Sequence, residues 1–203
     1  PREPLNIRLA TLAESKVMPA PHIYMPPRIN NEGMVPEFII PIKPEGLPYD
    51  DFTYPSITVA LMAHEGRPGH DLHLRRVLSS DMSLVRASYA ENPVNHEGWA
   101  LYAEDLIYPY VDIEAQFGIV QMRLLRIARY FLDPLVQQNK ATEADVIAVL
   151  HDELGISQAL AEVEYQRYAY IAPAQATTYY HGLLKIRALK KALTEDIGEL
   201  SSQ

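Results

Sequence analysis

The chain has 203 residues, 48% hydrophobic and 22% charged, with a formal net charge of −8. That length and apolar content suit one globular domain, or two small ones, with a real core, and the acidic balance with scattered basic residues argues against nucleic acid as a partner. No apolar run approaches the ~20 residues of a transmembrane helix, and the absence of cysteine leaves any metal site to His, Asp and Glu.

The start, Pro1-Arg2-Glu3-Pro4, has no apolar signal region. A chain that opens without methionine is expected to be a processed or excised piece, and both a periplasmic or cell-envelope and a cytoplasmic location stay open. Eleven of the sixteen prolines fall in residues 1–55. Leu5, Leu9 and Leu12 predict a short helix over 5–16, and residues 19–36 read as extended over a surface. Residues 37–42 are apolar and β-favouring, and Pro41 limits them to an edge strand or a strand end. Such an edge can pair with an extended peptide, or simply be structural. The expectation is a Pro-rich segment over 1–54, packed on the same domain as a helical region over 55–203.

Residues 56–63 read as a helix leading into His64-Glu65-Gly66-Arg67-Pro68-Gly69-His70-Asp71-Leu72-His73. Imidazoles and carboxylates at short spacing are the donors zinc needs, and a glutamate beside a ligand can take a proton from water. Positions six apart lie about 120° from each other on a regular helix and cannot share an ion. Pro68 would clash with the His64 carbonyl in a continuous helix, and Gly66 and Gly69 tolerate unusual dihedrals. Two helical pieces with a break between them would return His64 and His70 to one side. His70 and His73, three apart, form a competing pair on one face.

Residues 80–93 predict a turn and a short helix. Asn95 is read as the N-cap of the next helix, which Pro109 ends or kinks. Over 114–133, Val120, Leu124, Ile127 and Phe131 form an apolar stripe at helical spacing, with Pro134 as the stop. Thr142 to Asp145 resembles a capping box, Gly155 is a C-terminal stop, and 157–170 and 174–195 read as two more helices. The fold expected is mainly α, with a small β element near residues 37–42.

Glu97 and Glu104 are seven residues apart and share a helix face. Glu97 is the natural third ligand, and Glu104 is its rival or a group that orients a histidine. His96 points about 100° away from Glu97, and His22 and His151 lack partners at useful spacing. Residues 164–182 hold five tyrosines, whose phenols can donate to an oxyanion but which read individually as core residues.

Three blocks carry a resemblance: His64-Glu65-Gly66-x-Pro68-Gly69-His70; residues 97–104, Glu97-Gly98-Trp99-Ala100-Leu101-Tyr102-Ala103-Glu104; and Arg167-Tyr168 with Gln175-x-x-x-Tyr179-x-x-Gly182. Together they resemble the bacterial DUF885 family, which is similar to gluzincin-type zinc metallopeptidases. The resemblance implies one zinc ion held by His64, His70 and Glu97, Glu65 as general base, Tyr179 as a transition-state donor, and Arg167 or Tyr168 as substrate contacts. It also implies that this is the C-terminal catalytic portion of a longer protein, with that protein's N-terminal region as a partner and a peptide or small amide as substrate. Two positions depart from the family: Pro173-Ala174-Gln175 replaces its frequent Pro-Gly-Gln, and His73 stands where Gln is common. The competing expectation is a non-catalytic helical module, in which a fourth protein ligand closes the metal site.

Overall fold

A computed structural model describes residues 4–27, 30, 32–42, 49–89 and 92–197. Expectations for residues 43–48 and 198–203 lie outside the described residues. The fold is mainly α with a small three-stranded sheet. No helix among the described residues is long and apolar enough to cross a membrane.

The first segment departs from expectation. Asn6–Leu9 forms strand β1, and only Leu12–Val17 forms a helix, α1, opened by a Thr11–Glu14 capping box. Asn6, Ile7, Arg8 and Leu9 alternate polar and apolar, the period of a strand, and that local pattern prevails over the wider leucine spacing. His22–Tyr24 is β2 and Glu37–Ile40 is β3. The sheet order is β1-β3-β2, with β1 parallel and β2 antiparallel to β3. Residues 37–40 are therefore the central strand, not an edge: β3 ends at Ile40, one residue before Pro41, so the missing N–H falls outside the ladder. The edge beside the histidine helix is β2.

Helix α2 spans Pro55–Glu65 and buries Ile57, Ala60, Leu61 and His64. Those positions share one helical face, so the packing that anchors α2 also aims His64 inward. The expected break follows, and α3 resumes at His70–Ser79. Gly69 makes the return tight, since a Cβ there would lie 1.9 Å from the His64 carbonyl oxygen. Trp99 Nε1 donates to the Pro68 carbonyl at 2.9 Å, pinning the break to a later helix. Asp71, buried at the head of α3, accepts from Arg67 Nε at 2.5 Å and Arg75 Nε at 2.6 Å.

The short α4 covers Leu84–Tyr89, and α5 covers Pro93–Ile107. The cap of α5 is Asn92 rather than Asn95: its side chain accepts from Val94 N, and Pro93 takes the first helical position, where no N–H is needed. Helix α6 spans Ile113–Gln137 and continues through Pro134 for one turn before ending.

The helix is as expected, but most of its apolar stripe faces outward. Val120, Leu124 and Phe131 are exposed, while Ile119, Met122, Leu125, Leu132 and Val136 belong to the core. Arg126, Arg129 and Asp133 are buried on the same side as that core. Charged residues on the inner face disguise it as a surface.

Helix α7 spans Glu143–Ile147 and carries the predicted Thr142–Asp145 capping box; π-type turns over Ala148–Glu153 follow, and Gly155 adopts φ +68. Helix α8, Gln158–Gln166, runs on into π-type turns over Arg167–Ile171. Helix α9 is Thr178–Ile197, starting four residues later than expected. It crosses α5 where two glycines meet: a Cβ on Gly98 would lie 2.4 Å from the Gly182 carbonyl carbon.

Candidate metal centre

His64 lies in the last turn of α2, His70 opens α3, and Glu97 lies in the first turns of α5, so the break and the Trp99 anchor deliver three donors to one point. His64, His70 and Glu97 each offer a ligand atom, and these atoms lie within 4.8 Å of one another. Glu97 Oε2 is 3.3 Å from His64 Nε2 and 3.6 Å from His70 Nε2. The two imidazoles stand edge to face, centroids 4.9 Å apart. Glu97 Oε2 is buried, with no partner at hydrogen-bonding geometry. A buried acceptor left unsatisfied costs about 1–3 kcal/mol, and a cation among the three donors removes that cost. Two imidazoles and one carboxylate are the donor set of an open zinc site. Among the described residues no fourth ligand joins the group.

Glu104 takes the other role open to it. Its Oε1 lies 2.8 Å from His64 Nδ1, so Glu97 and Glu104 address opposite nitrogens of one ring. Burial disfavours charge on His64, but the Glu104 and Glu97 carboxylates outweigh it and raise its pKa to about 10. Burial likewise opposes charge on Glu97, yet His64 and His70 hold that carboxyl below its ordinary range. The cluster of carboxylates thus calls for positive charge at its centre. Glu65 Oε1 lies 3.9 Å from His64 Nε2, and its Oε2 accepts from the β2 amide of Ile23 at 3.2 Å. Burial pushes the Glu65 carboxyl upward.

His73 stands apart, its ring 5.2 Å from His96 and 5.7 Å from Trp99, and burial lowers its pKa to about 4. The His70–His73 pairing is not the one the fold assembles around Glu97.

His64, Glu65, His70 and Glu97 line a cleft of about 620 Å³, bounded on one side by residues 17–23 and on the other by α6, the Arg167 turn and α9. Tyr179 stacks on His64 with ring centroids 6.2 Å apart and planes 19° apart. The guanidinium carbons of Arg129 and Arg167 lie 5.1 and 5.6 Å from its ring centroid. Arg167 Nη2 donates to the Tyr179 hydroxyl oxygen at 3.2 Å and also to Gln175 Oε1. Tyr168 is in the core instead of the cleft, fully buried, with its hydroxyl donating to Glu164 at 2.7 Å. Its ring is needed for packing, which removes it as a substrate contact.

Sequence reasoning missed Arg126, Arg129 and Glu164. Glu164 accepts from Arg129 Nε and Nη2, both at 2.7 Å. The signal for them was a charged row, Arg126, Arg129 and Asp133, at helical spacing on α6. Asp133 accepts from the amides of Ala174 and Ala176 at 3.0 and 3.2 Å, holding the loop that carries Gln175. Ala174 has φ +66, the conformation that glycine adopts freely.

The family model described as "Bacterial protein of unknown function (DUF885)" matches residues 1–201. No curated protein matches the chain. Among solved structures, "the putative lipoprotein from Colwellia psychrerythraea" superposes with TM-score 0.85 at 21% identity, over 98% of this chain and 33% of that one. "A putative lipoprotein of unknown function from Shewanella oneidensis" gives TM-score 0.80 at 23% identity, over 98% of this chain and 36% of that one. At these identities the common property is the fold, and the chain spans about a third of the length of these solved relatives.

Proposed function

The chain belongs to the DUF885 family, and on that premise we propose that its cleft is the active site of a zinc-dependent hydrolase of peptide or small amide bonds. The observation that carries the reading is the buried Glu97 Oε2, in no hydrogen bond, between the Nε2 atoms of His64 and His70. Those three residues would hold the ion. Zinc bound there supplies a Lewis acid that polarises a carbonyl oxygen and lowers the pKa of water.

The chain's own groups do the remaining work. The Glu65 carboxylate takes the proton of the attacking water and delivers it to the departing amine nitrogen. A buried carboxyl with a raised pKa suits both halves of that transfer, and the Ile23 amide fixes where it stands. The Tyr179 oxygen accepts from Arg167, which leaves the phenolic proton free to meet the carbonyl oxygen as charge develops. Glu104 orients His64 through Nδ1.

The competing reading is a non-catalytic metal-stabilised module that binds peptides or a partner. An open coordination set among the described residues favours the enzyme. The greater length of the solved relatives supports an additional region of a longer protein as a partner, and the exposed Val120, Leu124 and Phe131 row on α6 offers a surface for it. Their description as lipoproteins favours the cell envelope over the cytoplasm.

The test is Glu65→Gln, with zinc content and peptide hydrolysis measured side by side. Zinc should stay stoichiometric while hydrolysis disappears, because glutamine keeps the shape but cannot accept the proton. Full hydrolysis by the variant would end the general-base role. A structural zinc module predicts no hydrolysis by either protein.

A further inference from the structure

The wall of the cleft facing the histidines carries more positive charge than it neutralises. It holds three guanidinia, Arg126 and Arg129 from α6 and Arg167 from the π-type turns. Arg129 is fully engaged with Glu164. Arg167 shares that same carboxylate at 3.4 Å. Arg126 Nη2 comes no closer than 3.6 Å to Glu104, whose Oε1 is already committed to His64; its Nη1 turns back to the Met122 carbonyl, and its Nε is buried without a hydrogen-bond partner. Two carboxylates, Glu164 and the more distant Glu104, therefore serve a wall of three cations. In a low-dielectric cleft such an excess is costly unless a ligand completes it.

The trio differs in access. The side chains of Arg126 and Arg129 are 4% and 6% exposed, whereas Arg167 is 22% exposed and opens on the cleft. Arg167 is also the one held in place, by Gln175 and by the Tyr179 hydroxyl. That hydroxyl is the group assigned to the substrate's carbonyl oxygen, so an anion taken by Arg167 sits close to the bond to be cut.

We infer that the cleft takes peptides by a free terminal carboxylate, received by Arg167 against the positive field of Arg126 and Arg129, so that the protein removes short pieces from the C-terminal end of its substrates. The inference rests on the hydrolase reading. A fork-shaped guanidinium suits a carboxylate, and a cleft of about 620 Å³ holds a short peptide end rather than a long chain.

The test uses zinc-loaded protein carrying Glu65→Gln to stop turnover, and calorimetry with three probes: N-acetyl-Ala-Phe, its C-terminal amide, and N-acetyl-Ala-Glu amide. The free acid should bind about 10–100-fold tighter than its amide, the range of a charge-assisted hydrogen bond. Arg167→Gln in the same background should bring that ratio close to one, and because each ratio is taken within one protein, general damage cancels. Equal binding of acid and amide, or no binding of either, overturns the inference, and preference for the glutamyl amide would assign the wall to an acidic side chain instead. Hydrolysis by the unsubstituted protein is read separately. Equal cleavage of acid and amide removes the terminal preference and keeps the hydrolase; selective binding of the acid with no cleavage removes the hydrolase and keeps the carboxylate site.

Discussion

Glu104 Oε1 sits 2.8 Å from Nδ1 of His64, while Glu97, two helical turns earlier, faces Nε2 of the same ring. The first contact orients the imidazole and the second joins it in the ligand group, so the two glutamates should fail differently. Glu97→Ala should abolish stoichiometric zinc binding. Glu104→Gln should weaken it by about 10–100-fold, the usual effect of losing a group that orients a ligand. Competition with a calibrated chelator measures both, and the reverse ranking would move the ligand to Glu104. His73→Gln should leave affinity unchanged.

Tyr179→Phe removes one hydroxyl and keeps the ring that stacks on His64. Turnover should fall by about 10²-fold or more while zinc remains. Steady-state kinetics at matched zinc loading measures this, and an unchanged kcat would reduce Tyr179 to a packing residue.

Ala174 sits in the left-handed region, at φ +66. Relief of a Cβ in that conformation is worth about 1–2 kcal/mol, against about 0.4–1 kcal/mol of extra chain entropy that glycine adds to the unfolded state. Ala174→Gly should therefore stabilise the fold by roughly 0.5–1 kcal/mol, read as a higher Tm. A lower Tm would mean that the loop held by Asp133 is not strained.

Glu164 links the cleft to acid stability. Burial alone would raise its carboxyl, but Arg129 outweighs that and lowers it to about 2 from an ordinary 4.5. A depressed carboxyl stabilises the fold fully above its unfolded value and loses that contribution as pH falls toward the folded one. The difference is worth about 3 kcal/mol at neutral pH. Glu164→Gln should cost at least that at pH 7, since Arg129 is left without its partner, and the gap to the unsubstituted protein should narrow between about pH 4.5 and 2. Urea denaturation across that range checks it; a gap independent of pH would show that the ion pair does not govern acid unfolding.

The grouping of His64, His70 and Glu97 was legible because much of what brings it about is local. Pro68 between Gly66 and Gly69 forces the break, and seven-residue spacing puts Glu97 and Glu104 on one face. The inner face of α6 was not legible: Arg126, Arg129 and Asp133 are buried through partners contributed by distant parts of the chain, such as Glu104, Glu164 and the 174–176 loop, and apolar periodicity cannot see that compensation. Strand order failed for a similar reason. Pro41 limits hydrogen bonding only at its own position, while the neighbours of β3 are chosen by β1 and β2, short strands of four and three residues whose pairing no local pattern in β3 records.

Gly98 and Gly182 bind nothing, yet they set the closeness of α5 and α9 with no side chain between them. A methyl group on residue 182 would lie 2.0 Å from the Val94 carbonyl oxygen and 2.7 Å from the Gly98 α-carbon. Nothing in that contact can yield except the helices themselves, and Glu97 is bonded directly to Gly98. The placing of Glu97 beside His64 and His70 is thus borrowed from a backbone crossing that belongs to neither those residues nor the cleft. A genetic screen for zinc-deficient variants would return position 182 beside the ligands, and a designer grafting His64, His70 and Glu97 onto another scaffold would need to carry this bare crossing along with them.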